Sequence, residues 1–541
     1  MINHNKKRFY PLIVSLGVIL GLLLGSFFAN HFSGNRLSII NNSSNKVIDL
    51  FHLVEDQYVD SVEIPDLVEK AMPQILKELD PHSTYISASE VEESMQDLRG
   101  SFSGIGIQFT IYKDTIRVVK VIKSGPSESA GILAGDRIVC IENTPYVGDS
   151  INNAGVMKRL KGIKDSELNL TVKRAGVKDL LTFHITRGDI PLKTIDTVYM
   201  LTSQTGYIRI KSFGDTTYPE FLAALAKLQS EGFEQLILDL RGNPGGYMES
   251  AIQIANDFLP KKSLIVYTQG RRSPRKEYIT DGRGTYPTMP LVVLVDETSA
   301  SASEIFAGAI QDNDRGVIIG RRSFGKGLVQ VPIEFPDGSM LRLTIARYYT
   351  PSGRCVQKPY KIGQVEYEED LLKRAEHGEY FSADSIQTFG SEYKTRIGRT
   401  VYGGGGIIPD YFIPRDTIGI TEYFKNVYFS GLIYQYAYSF VDKNREKLAT
   451  CTNLEELKNK LAGKNLVEDF VRYASKNGVK RRNIHISRSY KLLYSYIMTA
   501  IVGDILDESA QTEYVNETDP AVSKALEILD EGKAFPVLEK K

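Results

Sequence analysis

The chain is poor in the residues that build metal and redox centres. Of its 541 residues only three are cysteine, at 140, 355 and 451, far apart and without a C-x-x-C pair. That spacing argues against a zinc site or a disulfide framework and leaves room for one disulfide at most. The seven histidines are scattered and form no H-E-x-x-H or similar metal spacing, so no metal site and no cofactor are expected. An excess of one charge is also missing, because 66 basic side chains face 66 acidic ones. A zero formal charge gives no bulk electrostatic reason to bind nucleic acid.

What is present is an ordinary globular composition, 42% hydrophobic and 24% charged, in a chain long enough for about three or four domains. Lys6, Lys7 and Arg8 precede an uncharged run from Phe9 to Ala29. As a helix that run could cross a hydrocarbon core of about 30 Å. The basic flank puts a short tail, 1–8, in the cytoplasm and everything after the span outside it. A cleaved signal peptide is the rival reading. It needs a shorter apolar region of about 7–15 residues and a small-x-small end, which Phe27-Phe28-Ala29 matches poorly. The expectation is an uncleaved, single-pass anchor at 9–29.

The remainder reads as an α/β multidomain chain. Residues 30–100 form a linker and an N-terminal helical region, with Val47, Leu50, Phe51 and Val54 at helical spacing. Residues 101–188 turn to strands, among them Thr115–Val121 and Arg137–Ile141, with a short helix over Ser127–Leu133 and a turn at Gly135-Asp136. Residues 189–415 alternate strands with helices. In this block Leu236–Leu240 and Leu291–Val295 are continuous apolar runs, as expected of strands buried on both faces. Residues 357–400 are charged and Tyr-rich and read as an insertion ending in a flexible Gly403–Gly406. Residues 416–541 read as a helical C-terminal domain, with Leu466/Phe470 and Leu493/Ile497 as i,i+4 pairs.

Three segments of the α/β block carry candidate chemistry. The first, Thr298–Glu304, follows the strand Leu291–Val295 and opens a helical pattern at Ile305, Phe306, Ala309 and Ile310. Ser301 then sits where strand turns to helix, near the positive end of the helix dipole and beside a free Ala302 N–H. That suits a nucleophile whose attack creates an oxyanion, although Ser301-x-x-Glu304 is equally a capping box. The second, Ser323-Phe324-Gly325-Lys326-Gly327, places a lysine between two glycines. Burial could lower its pKa into the range of a working base, as against a surface lysine on a turn. Gly320–Lys326 also spells most of a P-loop. The next residue, though, is Gly327 rather than Ser or Thr, and the stretch beyond it is strand-like and contains Pro332. The third, Asp239–Gly246, is a glycine turn between a strand and a helix, able either to bind an oxyanion through N–H groups or simply to connect the two.

Together, and in this order, these segments resemble the carboxyl-terminal processing, or tail-specific, proteases. The family's D-L-R-x-N-x-G-G, S-A-S-A-S-E-I and F-G-K-G-x-x-Q motifs match Asp239–Gly246, Ser299–Ile305 and Phe324–Gln330. The resemblance implies a serine peptidase core of the crotonase and Clp-protease kind over 189–415, with Ser301 as nucleophile and Lys326 as base. Gln330 would orient the lysine amine, and the N–H groups of Ala302 and of Gly245 or Gly246 would form the oxyanion hole. Asp312 resembles an acidic position of some members and is read as structural support. Leu79–Tyr85, Asp337–Ser339, Tyr349–Arg354 and Gly406–Asp410 resemble further family landmarks, while His82 and His184 are read as turn and strand residues.

Residues 101–188 resemble a PDZ domain inserted before the core. Its carboxylate-binding loop would be Gly104, Ile105, Gly106 and Ile107, which would capture a substrate's C-terminal end. The implied protein is a serine endopeptidase of the bacterial envelope, anchored in the inner membrane with its catalytic part in the periplasm. Its partners would be proteins or peptides with free C-termini. The helices of 416–541 are read as a place to pair chains or to hold an adaptor. A catalytically inactive PDZ scaffold or holdase on the same fold is the alternative, and the intact Ser301, Lys326 and Gln330 argue against it.

Overall fold

The computed structural model describes residues 15, 17–21, 42–112, 114–148, 150–360, 367, 369–388 and 390–537. The run 9–29 read as an anchor lies largely outside them. Among the described residues no helix is long and apolar enough to cross a membrane. The chain divides into two compact units, 1–78 and 79–541. The first holds the helices Asn42–Gln57 and Ile64–Lys77, the latter opened by Pro65 and Asp66, which suit a first turn.

In the second unit, Ile107–Tyr112, Thr115–Val121, Arg137–Ile141, Glu167–Lys173 and Leu181–Thr186 form an antiparallel sheet in that order. Its faces follow the period of two: Leu168, Leu170 and Val172 are buried while Glu167 and Lys173 are exposed. Ile107–Tyr112 is an edge strand whose only neighbour among the described residues is Thr115–Val121. The helix expected over Ser127–Leu133 is shorter, Pro126–Ala130, because Gly131 at φ +90° ends it. A ribbon of Ser101–Gly104 against Gly188–Pro191 joins this domain to the rest.

The core of the unit is a six-stranded sheet in the order Ile195–Met200, Thr205–Ile210, Gln235–Asp239, Leu291–Val295, Val317–Gly320 and Tyr411–Phe412. All pairs are parallel except the first. Both faces are covered, which is why the strands read as unbroken apolar runs. Leu236 and Leu238 face the helices Thr217–Ser230, Met248–Phe258 and Ala302–Asp312. Ile237, Val292 and Leu294 face the last helix, Pro520–Asp530, through Val522, Ala525 and Ile528. That helix therefore completes the α/β core, although its sequence adjoins the helical region. The other helices from Glu422 to Asn516 bury a core of their own, with Leu466, Phe470, Leu493 and Ile497 inside it.

A second sheet pairs Met340–Tyr349 with Thr84–Ile86, Leu264–Gln269 and Leu328–Glu334. It brings the segment around Asp80 to the end of the core that carries the glycine turns. The stretch 357–400, read as an insertion, packs in its described residues against the turn carrying Lys326. Its Arg374 donates to the carbonyls of Arg322 (2.7 Å) and Ser323 (3.1 Å), and the Lys358 N–H donates to Gly325 O (2.9 Å). Gly403–Gly406 is likewise packed rather than loose: Gly404 and Gly406 donate to Cys355 O and Val356 O, and a Cβ at Gly406 would meet Ser323 O at 2.6 Å. The small-domain sheet contacts the helical region through Arg117, fully buried, which donates to Asp442 (2.6 Å) and Asp504 (3.3 Å).

Candidate active site

Three turns at the ends of parallel strands converge. After Leu291–Val295 the chain turns through Asp296–Ala300, where the Ser299 hydroxyl donates to Leu240 O at 2.8 Å. Ser301 comes next, at φ +56° and ψ −113°. A non-glycine residue in that region is strained and is held there only by its surroundings. The helix Ala302–Asp312 begins at once and is buried along its whole length. The N–H groups of Ser303, Glu304 and Ile305 bond the carbonyls of Ala300 and Ser301, whereas the Ala302 N–H has no acceptor among the described residues.

The clamp holding this turn is Glu304, fully buried. Its Oε2 accepts the Ser301 N–H at 2.9 Å and the Lys326 N–H at 2.8 Å. Its Oε1 accepts the Gly325 N–H at 2.7 Å and the Ser323 hydroxyl. The expected capping box is thus present, but the carboxylate serves two turns rather than one. On the carbonyl side, the buried Tyr348 hydroxyl lies within hydrogen-bonding distance of Ser301 O and Lys326 O. A carboxylate and a phenol therefore tie the main chain of Ser301 to that of Lys326.

The turn carrying Lys326 lies between Val317–Gly320 and Leu328–Glu334. A strand stands where a P-loop needs a helix, and Glu304 already takes the N–H groups that would cradle a phosphate. Burial lowers the pKa of the Lys326 amine below that of an ordinary lysine, and the Arg342 charge adds to this, while Glu304 and Asp80 oppose it. These are the conditions that favour the neutral amine.

Gly245 packs against the Ser301 turn: a Cβ on it would lie 2.7 Å from Ser301 Cβ and 3.0 Å from the Ala302 nitrogen. The Gly245 N–H is taken by Asn243 Oδ1 at 2.8 Å. Gly246, at φ +138°, lies against Phe213, and its N–H has no acceptor among the described residues. Asn243 is buried and stitches this loop to its neighbours, its carbonyl accepting from the Ala300 N–H (3.0 Å) and the Ser303 hydroxyl (3.1 Å). Asp312 lies further along the helix as a buried ion pair with Arg354 at 2.7 Å.

Gln330 is on the adjoining strand, where its amide donates to Thr344 Oγ1 at 3.1 Å. Thr344 in turn donates to Asp80 at 3.0 Å, and Asp80 also accepts the N–H groups of His82 and Ser83. The His82 imidazole bonds the Tyr367 hydroxyl at 2.8 Å. Its pKa is pushed down to about 4 by burial and then by the Lys326 charge, with Asp80 opposing and Lys358 adding to the fall. His82, read from sequence as a turn residue, thus also belongs to the surroundings of Lys326. Glu304, Tyr348, Asp80 and His82 are the residues that sequence reasoning left outside the site. Glu304 had a local signal in its spacing three residues after Ser301, and Asp80 and His82 lay in the landmark segment Leu79–Tyr85, whereas Tyr348 had none.

In the domain of the antiparallel sheet, the carbonyls of Ile105 and Gly106 accept from Ser127 and Ile122 (both 2.9 Å), while their N–H groups have no acceptor among the described residues. Gly106 is at φ +76°. Two adjacent donors without acceptors, beside the unpaired edge of Ile107–Tyr112, suit a chain terminus added as a further strand. Gly104 packs on the Phe102 ring.

Residues 204–366 match Peptidase family S41, 103–185 match the PDZ domain, and 423–507 match a family of unknown function. The chain is 37% identical over 320 residues to a carboxy-terminal-processing protease of Bartonella bacilliformis, covering 57% of this chain and 71% of that one. It is 32% identical over 323 residues to carboxy-terminal processing protease CtpB of Bacillus subtilis, covering 59% and 66%. To CtpA of the same organism it is 32% identical over 364 residues, covering 67% and 77%.

Proposed function

We propose, from the premise that this chain belongs to the carboxy-terminal-processing protease family, that it cleaves peptide bonds with Ser301 as nucleophile and Lys326 as base. It is a serine peptidase with a PDZ domain. The observation that carries the residue assignment is the shared Glu304 oxygen, which accepts from both Ser301 N–H and Lys326 N–H. It keeps the two backbones together while leaving both side chains available for chemistry.

In this reading neutral Lys326 takes the Ser301 hydroxyl proton as Oγ attacks the scissile carbonyl. The oxyanion is held by the N–H groups of Ala302 and Gly246, which have no acceptor among the described residues; the Gly245 N–H is engaged by Asn243. Collapse breaks the C–N bond, and Lys326 returns the proton to the departing amine. Water then attacks the acyl-Ser301 ester, its proton passing to Lys326 and back to Ser301 as the acid product leaves. Gln330 acts at one remove, through Thr344 and Asp80, on the surroundings of the base.

The available donors of Ile105 and Gly106 favour selection of substrates by their terminal carboxylate. An unfolded substrate with an apolar free C-terminus should be cut about tenfold faster than the same substrate amidated, the scale of losing charge-assisted bonds. Equal rates would sink tail selection and leave the peptidase standing.

Lys6, Lys7 and Arg8 before the uncharged run 9–29 support an inner-membrane anchor with the peptidase in the periplasm. A C-terminal tag should then be digested by added protease once the outer membrane is opened. Protection in such cells, with digestion only after lysis, would contradict that location.

A further inference from the structure

The helical region, whose residues 423–507 match a family of unknown function, stands where a bound tail would lead. A tail with its carboxylate on the Ile105 and Gly106 N–H groups, added to the edge strand Ile107–Tyr112, runs antiparallel to that strand. Its upstream residues therefore pass toward Tyr112. At about 3.4 Å per residue, about the sixth residue from the end lies beside Tyr112.

That end of the strand touches the helical region. Residues 109–112 pair in unbroken register with residues 115–118, Thr110 standing opposite Arg117. Ile116 and Val118 are buried in the sheet's own core, so Arg117 points out of the opposite face. There it meets the helix Leu432–Leu448, donating to Asp442 at 2.6 Å with its guanidinium 5.0 Å from the centre of the Tyr438 ring. The side chain of Tyr473, on the helix Leu466–Lys476, hydrogen-bonds that of Tyr112.

Tyr473 also lines a cavity of about 420 Å³ between those two helices, with Lys443, Arg472 and Lys476 on its walls. Phe440 lines both this cavity and a second of about 420 Å³, walled by Lys447, Lys460 and Lys464. Among the described residues the one acid on either wall is Asp469, and Arg472 already donates to it. The trough thus sets these six cations against one carboxylate, in a chain whose charges otherwise balance. Lys443 with Lys447, and Arg472 with Lys476, are i,i+4 pairs of like charge, which weaken their own helices. The amines of Lys443, Lys447, Lys464 and Lys476 have no ion-pair partner among the described residues. Such a concentration of unanswered charge attracts a polyanion.

We propose that this trough is a substrate subsite, binding an acidic stretch of the polypeptide upstream of the tail held by the PDZ domain. The inference rests on tail selection as proposed above. Acidic side chains would pair with the unanswered amines, and Phe440 offers a surface to an apolar side chain between them. Nucleic acid would meet the same charge, but the tail groove leads to the trough at Tyr112 and so favours polypeptide.

The test uses the intact Ser301→Ala protein, which would hold peptides without cutting them, and labelled peptides that share one apolar C-terminal pentapeptide. The residues upstream are acidic, uncharged or basic, and each peptide is made with a free and with an amidated terminus. By fluorescence anisotropy the acidic peptide should bind about tenfold tighter than the uncharged one, the scale of two or three exposed ion pairs. The basic peptide should bind no better than the uncharged one. Adding Lys443→Gln and Lys476→Gln should close the gap, as should high salt, with the uncharged peptide binding as before. Equal affinities for acidic and uncharged peptides would overturn the proposal. So would a preference that survives both substitutions, or a loss shared equally by the two peptides. An oligonucleotide bound through these lysines, with no preference among the peptides, would assign the trough to nucleic acid instead. If amidation leaves every affinity unchanged, tail selection fails and this proposal with it. If amidation weakens binding while upstream charge has no effect, the trough proposal alone falls.

Discussion

Ser301→Ala and Lys326→Met should each lower peptide-bond cleavage by at least about 10⁴-fold while leaving the protein folded. The size comes from removing a member of a nucleophile–base pair that acts as a unit. Folding should survive because the ties to this turn use main-chain groups. Glu304 accepts the Ser301 N–H and the Tyr348 hydroxyl meets the Ser301 carbonyl, and both remain in Ser301→Ala. Lys326→Met keeps the main-chain N–H that Glu304 accepts and removes a buried amine, so its melting temperature should not fall. Wild-type activity should fall in acid as pH drops through the lowered lysine pKa, since only the neutral amine accepts the serine proton. A melting temperature several degrees lower in either variant would mean that the loss reflects unfolding. A rate unchanged well below that pKa would remove Lys326 as the base.

Glu304→Ala should cost both stability and activity. It strands the Ser323 hydroxyl and three N–H groups, those of Ser301, Gly325 and Lys326. At about 1–3 kcal/mol for each buried donor left unmet, and with some relief from entering water, a loss of about 4 kcal/mol is expected. Glu304→Gln keeps the volume but turns an amide N–H₂ toward groups that are themselves donors. Its activity should fall about 10²-fold, the usual scale for reacting groups displaced by about 1 Å, with KM little changed. Hydrolysis of a quenched fluorescent peptide beside thermal melts reads both. A Glu304→Gln variant with wild-type kcat would show that the shared carboxylate does not set the spacing of the pair.

Much of this architecture could be read along the chain, for identifiable reasons. Leu236–Leu240 and Leu291–Val295 announced a sheet covered on both sides because both of their faces are apolar. Ser301 and Lys326 stood out because each comes after such a strand and is flanked by small residues. What stayed hidden depends on contacts between distant residues. Tyr348 is one aromatic among many in the sequence, and only the pairing of Leu328–Glu334 with Met340–Tyr349 brings it to the turns carrying Ser301 and Lys326. Asp80 and His82 reach Lys326 only because Thr84–Ile86 joins the same sheet. Composition did not show how the charged residues of 357–400 pack. Charged residues usually mark a solvated surface, but Arg374 and Glu379 form a buried pair behind the turn carrying Lys326. Arg117 was hidden in the same way, its partners lying in helices more than three hundred residues away. Between Gly245 and Gly246 the sequence offered no choice, because the difference is one side-chain bond from Asn243.

The most direct test of the central claim is to trap the covalent intermediate. The intact protein would be mixed with a slowly hydrolysed peptidyl ester, quenched in acid, and mapped by mass spectrometry. The account predicts an acyl group on the peptide containing Ser301, absent from Ser301→Ala and nearly absent from Lys326→Met. An acyl group on any other side chain, or turnover that persists in Ser301→Ala, would contradict it.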